Sequence, residues 1–329
     1  MIARKWTIRG LAGAALLAFA AGQAPAQPPA AAPVTTAAPA APAAPAATKP
    51  VAVVDGEAIT MADLENALRM VGPTAVPLTE QQKVQMRDDA LEMLIEDALM
   101  HQFLRKYAPP ATPEMINKEL GEMAELLKKQ NKTLQDLYKD SGLSEAQWRV
   151  NIGYRIQWMA YCKAQVTDAV VKKYYDDNKD FFDNVQVRAS HILVRVDAKA
   201  TPQDIAAAKA KLTALRQQLA ENKIDFAAAA KQYSECTSAP NGGDIGYFPR
   251  KGRVLEPFAA AAFAMQPGQV SDVVQTEYGL HLIKVTDRKA GTPSDFEKIK
   301  EDVRMFYISE MQQNIISHMR KNAKIEKSL

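Results

Sequence analysis

Cysteine, histidine and long apolar runs are all scarce in this chain of 329 residues. Two cysteines, Cys162 and Cys236, cannot build a disulfide framework or a zinc ribbon. Past the N-terminal segment no stretch approaches the roughly eighteen consecutive apolar residues of a membrane-spanning helix, so no stable membrane insertion is expected. A basic excess is missing too. The formal charge of +3 is carried by Arg4, Lys5 and Arg9, which lie in an acid-free segment expected to be removed. The rest of the chain is then neutral, which argues against a nucleic-acid partner. What is present is ordinary for a globular protein: 47% hydrophobic and 24% charged residues, in a length that suits about two domains.

Residues 1–26 read as a secretory signal, with a basic start, an apolar run LAGAALLAFAAG at 11–22, and small residues Ala24-Pro25-Ala26 at the cleavage positions. As a membrane anchor the run is too short: its helix would rise about 18 Å against a hydrocarbon core of roughly 30 Å. No cysteine follows the run, so a lipid anchor on an N-terminal cysteine is not expected either. The expectation is an exported protein, most simply periplasmic, with the signal cleaved near Ala26. Residues 27–50, nearly all Ala, Pro and Thr, offer no side chains for a core and read as an extended linker.

Asp55-Gly56, flanked by Val51–Val54 and Ala58-Ile59, signals a hairpin. Helices follow. Thr60 and Asp63 open one along Met61, Leu64, Leu68 and Val71, and Thr79 and Gln82 open a second along Val84, Leu91, Leu94, Ile95 and Leu99 until Pro109-Pro110. Thr112-Pro113 opens a third along Ile116, Leu120 and Met123, and Ser144 with Gln147 a fourth along Trp148, Ile152, Ile156 and Met159. A fifth spans about 167–178. The pattern changes at Val185. QVRASHILVR (186–195) is strand-like, helices follow at about 202–221 and 225–233, then Gly-rich turns and strands at about 270–275 and 280–286. Helical spacing returns from Pro293 to about Lys321, and AKIE at 323–326 suits a short closing strand. The expected architecture is α+β. A sheet domain at 186–288 is inserted into a mainly helical domain built from an N-terminal segment, 51–185, and a C-terminal helix, 289–329.

His191 in ASHILV and His281 in GLHLIKV sit among aliphatics, where a lone histidine is more often a hydrogen-bonded core residue than a ligand. Two in one small sheet, with Cys236 between them in sequence, favour a shared polar site. A zinc site from these three lacks any close ligand pair, so no metal is expected. A Cys–His nucleophile wants the thiol exposed and activated, as at a helix N-terminus, and Cys236 instead follows a helix in a Ser/Thr-rich turn.

RASHILV (188–194), DFAAAAKQYSECTSAPNGGDIGYF (225–248), EPFAAAAFAMQPGQVSDVVQT (256–276) and EYGLHLIKV (277–285) together resemble a parvulin-type peptidyl-prolyl isomerase domain. The resemblance implies a four-stranded antiparallel sheet with surrounding helices, and no cofactor. It implies that His191 and His281 are the paired sheet histidines and that Cys236 stands where the family carries Cys or Asp. Thr276 stands at the family's polar position near the histidines. Ile245, Val254 and Phe258 would form the wall that receives the proline ring, with Val254 where the family more usually has Met. Tyr278 stands where the family often has a smaller or another aromatic residue. Some members select phosphorylated Ser/Thr-Pro through a basic cluster after the first strand. Here Arg195 and Lys199 are interrupted by Asp197, so no phosphate selectivity is expected.

The flanks, through VAVVDGEAIT (51–60), VTDAVVKKYYDDNKDFF (166–182) and the terminal AKIE, resemble the helical domains of the SurA and PrsA group of exported foldases. That implies unfolded, proline-containing exported polypeptides as partners and leaves a homodimer through the helical domain open. Eleven of the 13 methionines lie in the helical parts, where they suit either adaptable binding surfaces or helix cores. The expected function is a peptidyl-prolyl cis–trans isomerase with chaperone activity. The alternative is a holdase whose parvulin domain has little catalysis.

Overall fold

The computed structural model describes residues 50–70, 78–196 and 200–328. The signal segment, all of the linker but Pro50, Val71 of the first helical stripe, and Asp197 and Lys199 of the loop after the first long strand lie outside them. The described residues divide into two compact units, one formed by those up to Thr167 together with those from Met305 onward, the other by those from Asp168 to Arg304.

The helical unit begins with a hairpin of β1 (Ala52–Val54) and β2 (Glu57–Ile59). Asp55 and Gly56 both take positive φ, 48° and 85°, as the tight two-residue turn requires. Helices α1 (Met61–Met70), α2 (Glu80–Tyr107), α3 (Pro113–Lys128), α4 (Leu134–Ser141) and α5 (Glu145–Gln165) follow. Reciprocal capping boxes start α2 at Thr79/Gln82 and α5 at Ser144/Gln147, as the sequence spacing predicts. Helix α4 is unread in the sequence, although Thr133 and Asp136 box its start and Gly142, at φ 69°, ends it; eight residues are too few to display a period. The last strand, β7 (Ile325–Lys327), pairs antiparallel with β1 and gives a sheet of order β2-β1-β7. Val54, Ile59, Leu64, Leu91, Ile95 and Leu99 are buried together over it. Three stripe residues face solvent instead: Met61, Val84 and Met159 are exposed. Helix α5 shows why. Trp148 and Ile152 pack with Leu120 of α3, whereas Trp158 packs with Met100 and Leu104 of α2. The contact face rotates along the helix, and Met159 falls off it.

The second unit opens with α6 (Asp168–Asp177), where the sequence suggests a helix, and α7 (Lys179–Phe182), a single turn beyond the span it suggests. They pack within this unit: Arg288 Nη2 meets Asp180 Oδ2 at 2.6 Å, and the Tyr175 hydroxyl donates to the Ser294 carbonyl at 2.7 Å. The sheet comprises β3 (Gln186–Arg195), β4 (Asp244–Pro249), β5 (Val274–Thr276) and β6 (Gly279–Lys289), all antiparallel in the order β4-β3-β6-β5. Two of its elements escape the sequence reading. Strand β4 carries Gly246 at φ 71° and a register shift, and α10 (Glu256–Phe263) is eight residues without a side-chain cap. Strand β5 is also shorter than expected: the stretch before it bonds to β6 around an isolated Val270–Lys284 bridge, with the Gly268 and Ser271 N–H groups donating to the Val285 and Ile283 carbonyls, and does not form a continuous ladder with β5.

Both faces of the sheet are covered, so β3 reads as a nearly continuous apolar run. Ile192, Val194, Leu280 and Leu282 bury with Leu212 of α8 (Pro202–Ala220) and Phe226 of α9 (Phe226–Tyr233). Val187, Ala189, Ile283 and Val285 bury on the other face with Phe258, Ala262 and Phe263 of α10. Helix α11 (Phe296–Asn322) leads to β7.

Candidate active site

Strand parity sends His191 and His281 to the α10 face, since each alternates with residues buried there: Ala189 before His191, and Ile283 and Val285 after His281. In the register His191 lies opposite Ile283 and His281 opposite Leu193, so the two imidazoles are diagonal neighbours across β3 and β6. Their Nδ1 atoms approach to 3.2 Å. The pair is 90 residues apart in sequence and is made by sheet register alone.

From His281 the chain of contacts continues outward. Thr276 Oγ1 lies 2.8 Å from His281 Nε2 and accepts the Tyr278 backbone N–H at 3.2 Å. In the other direction it stops: His191 Nε2 is buried and has no partner among the described residues. An imidazole pair joined Nδ1 to Nδ1 needs one donor and one acceptor, which two neutral rings of opposite tautomer supply. Burial favours that state. It lowers the pKa of His191, and burial together with the neighbouring His191 pushes His281 down to about 4.

Phe258 closes the site from α10, edge-on to both imidazoles with centroids 5.5 Å away in each case. Ile245 and Val254 pack against its cluster, and so do Met265 and Val274, which the sequence analysis does not single out. Ile245 owes its place to a bulge: Arg188 pairs with Tyr247 but Ser190 pairs with Asp244, so Ile245 and Gly246 together face Ala189 alone. Asp244 fixes that bulge, since its Oδ1 accepts the Gly246 N–H at 3.0 Å while its carboxylate pairs with Arg188.

Cys236 sits half-buried on the segment that continues along β3 past the end of β4. There the Glu235 N–H donates to the Leu193 carbonyl, the Ser234 hydroxyl accepts the Leu193 N–H, and the His191 N–H donates to the Gly243 carbonyl. Burial raises the Cys236 thiol, but hydrogen bonds from Ser238 and Thr237 outweigh it and leave the thiol below its usual range. The Ser238 hydroxyl is buried and otherwise without a partner among the described residues. Cys162 differs: burial alone pushes it up to about 11.

The Gly242-Gly243 pair carries a signal the sequence analysis reads only as a turn. A Cβ on Gly243, at φ 80°, would stand 2.3 Å from the His191 carbonyl oxygen, so glycine lets this loop reach the strand beneath the histidine. Tyr278, bonded through its backbone to Thr276, is 57% exposed at the turn between β5 and β6 and outside the Phe258 cluster. Among the described residues no group of three or more His, Cys, Asp or Glu side chains is arranged to hold a metal.

The helical unit has a cavity of its own. It measures about 420 Å³ and is lined by apolar residues such as Ile59, Leu94, Trp148 and Ile152, with His101, Arg105 and Tyr154 on its polar side.

The family profile described as a PPIC-type PPIASE (rotamase) domain matches residues 191–287, and a SurA-like N-terminal domain profile matches residues 3–158. A foldase protein PrsA of Geobacillus sp. (strain WCH70) is 36% identical over 216 residues, 65% of this chain and 69% of that protein. The foldase PrsA of Caldanaerobacter subterraneus subsp. tengcongensis is 30% identical over 283 residues, 81% of each chain. A chaperone SurA of Aromatoleum aromaticum is 28% identical over 260 residues, 76% of this chain and 58% of that protein. With a PPIC-type domain folded around a histidine pair and a SurA-like helical region ahead of it, the chain belongs to the PrsA/SurA-type foldases and is a peptidyl-prolyl cis–trans isomerase and chaperone.

Proposed function

We propose that the isomerase works without covalent attack, by holding the proline ring in the apolar cup of Ile245, Val254 and Phe258 beneath the His191–His281 pair. An X–Pro bond rotates over a barrier of roughly 18–20 kcal/mol because the planar amide must lose its resonance. No bond breaks, so no nucleophile is required. Each 1.36 kcal/mol by which the site prefers the twisted amide speeds rotation about tenfold, so about 4–7 kcal/mol accounts for roughly three to five decades. His191, His281 and Thr276 form the hydrogen-bonded chain that sets the polarity around the twisted amide. Cys236 tunes that polarity from the neighbouring loop. Tyr278, exposed at the β5–β6 turn, meets substrate beside the proline.

The observation that carries this reading is the 3.2 Å contact of two buried imidazoles with Phe258 edge-on to both. The test is a proline-peptide isomerisation assay on the full chain and on its Cys236→Asp variant. The variant is expected to keep its rate within about threefold, because a carboxylate can accept the hydrogen bonds that Ser238 and Thr237 direct at the thiol. Complete loss would point to a nucleophilic thiol. A full chain that suppresses aggregation of an unfolded protein yet accelerates no peptide would instead support the holdase reading.

The isomerase fold takes residues 186–288, between a helical region at 51–185 and a C-terminal segment at 289–329. Residues 1–26 act as a cleaved export signal and 27–50 as a spacer, which makes the protein periplasmic; the mature N-terminus, read by mass, tests this. Its partners are unfolded exported polypeptides containing proline. The cavity in the helical unit suits their apolar side chains, and association of two copies runs through that unit.

A further inference from the structure

We propose that Arg253 gives the isomerase a preference for an acidic residue beside the proline, a reading that rests on the proline cup described above. Three cations follow β4 in the sequence PRKGRV (249–254), and the structure disposes of them differently. Arg250 is held by Glu256 through two bonds, at 2.7 and 2.6 Å, and Lys251 lies over the rings of Tyr174 and Phe181. Arg253 has neither. Its guanidinium donates to the backbone carbonyls of Tyr247 at 3.0 Å and Ile245 at 3.4 Å, and it has no carboxylate or ring partner among the described residues.

Those two carbonyls fix where the charge sits. Ile245 and Val254, the residue after Arg253, are both packed against the Phe258 cluster, so the guanidinium is anchored at the lip of the cup. Arg253 itself is exposed. A guanidinium has five N–H donors in a planar fork, and two carbonyl bonds leave donors free for an incoming carboxylate. The acids that flank it in sequence are already committed: Asp244 pairs with Arg188, and Glu256 with Arg250. A peptide whose proline enters the cup therefore passes a pre-placed, uncompensated positive charge. The chemistry that answers it is a Glu or Asp side chain within a residue or so of the proline.

The test compares kcat/KM for peptides carrying Glu, Gln or Lys immediately before or immediately after the proline, using the full chain at low and high salt. In one of the two positions Glu is expected to exceed Gln by about three- to fivefold at low salt, the range of a solvent-exposed ion pair, and the ratio narrows as salt rises. Arg253→Gln should bring the Glu/Gln ratio to about one, Arg253→Lys should keep part of it, and Arg253→Glu should turn the preference toward Lys. Because each ratio is taken within one protein, partial misfolding of a variant does not imitate the result. Equal rates for Glu and Gln in both positions, or a ratio unmoved in Arg253→Gln, would overturn the proposal. If no peptide is isomerised at all, the active-site reading fails, and the same peptides' binding affinities, compared in the same ratio, decide the Arg253 proposal on their own.

Discussion

In the helical unit His101 lies flat on Tyr154, with ring centroids 3.6 Å apart and planes at 8°; in the sheet unit His191 and His281 stand edge-on to Phe258 and touch each other through nitrogen. Burial acts on all three in the same direction, and burial with the nearby Arg105 pushes His101 down to about 4, as burial with His191 does for His281. A depressed histidine pKa therefore does not distinguish a site from a core. What distinguishes the sheet unit is the partner. His101 meets a ring face, whereas His281 meets a second imidazole and a hydroxyl, and that chain ends on a buried nitrogen with no partner among the described residues. An unfilled polar atom beside an apolar wall is the place where a substrate amide has something to gain.

The sharpest way to break this comparison is Phe258→Ala. Phe258 is 4% exposed, and truncating a core phenylalanine costs about 3–5 kcal/mol. The sheet unit should lose that much in denaturant unfolding, and isomerisation should fall by more than about tenfold with the loss of the wall. Trp148 and Trp158 both lie in the helical unit, so their fluorescence transition should stay in place. An unchanged isomerisation rate would remove Phe258 from the site.

Acidification acts on both units. A histidine whose folded pKa is depressed binds its proton more readily when unfolded, so its contribution is complete above the ordinary value near 6.5 and is lost as pH falls toward about 4. Denaturant midpoints followed from pH 8 to pH 4 should drop across that window for each unit. Isomerase activity should hold steady down to about pH 5 and then fall as the histidine pair charges. His101→Phe keeps a ring against Tyr154 and should flatten the tryptophan-detected pH dependence while leaving that of activity alone. A helical unit equally acid-sensitive in this variant would assign the effect to its carboxylates.

The smallest expected effect belongs to the helix starts. Thr79→Ala removes one side of the capping box on α2 and should cost about 1 kcal/mol, seen as a lower midpoint by tryptophan fluorescence with no change in isomerisation. A change in isomerisation would mean that the two units are energetically coupled.

The helical unit is legible in the sequence where its structure is made by neighbours. Thr79 with Gln82, Ser144 with Gln147 and Asp55 with Gly56 act within a few residues, and each does what its spacing suggests. The strands β3 and β6 announce themselves by their apolar content, and the domain motifs between them put His191, Cys236, Thr276 and His281 on the page as candidates. Helices α4 and α10 and strand β4 do not announce themselves. The two helices are each eight residues long, and the strand is interrupted by a bulge whose residues follow no period of two. Tyr278 is marked out by its place in a motif, and the structure leaves it exposed at the β5–β6 turn, outside the Phe258 cluster.

By itself the sequence determined the caps, the turns, the apolar strands and the residue types a proline cup needs, because those follow from chemistry acting over three or four positions. Only the tertiary structure decided that His191 and His281 meet nitrogen to nitrogen, that a bulge turns Ile245 toward Phe258, that Gly243 slides beneath a histidine carbonyl, and that Arg250 finds a carboxylate while Arg253 has none among the described residues. Each of these joins atoms tens of residues apart or depends on which partner another side chain has already taken, and sheet register and side-chain competition are settled only when the whole unit packs.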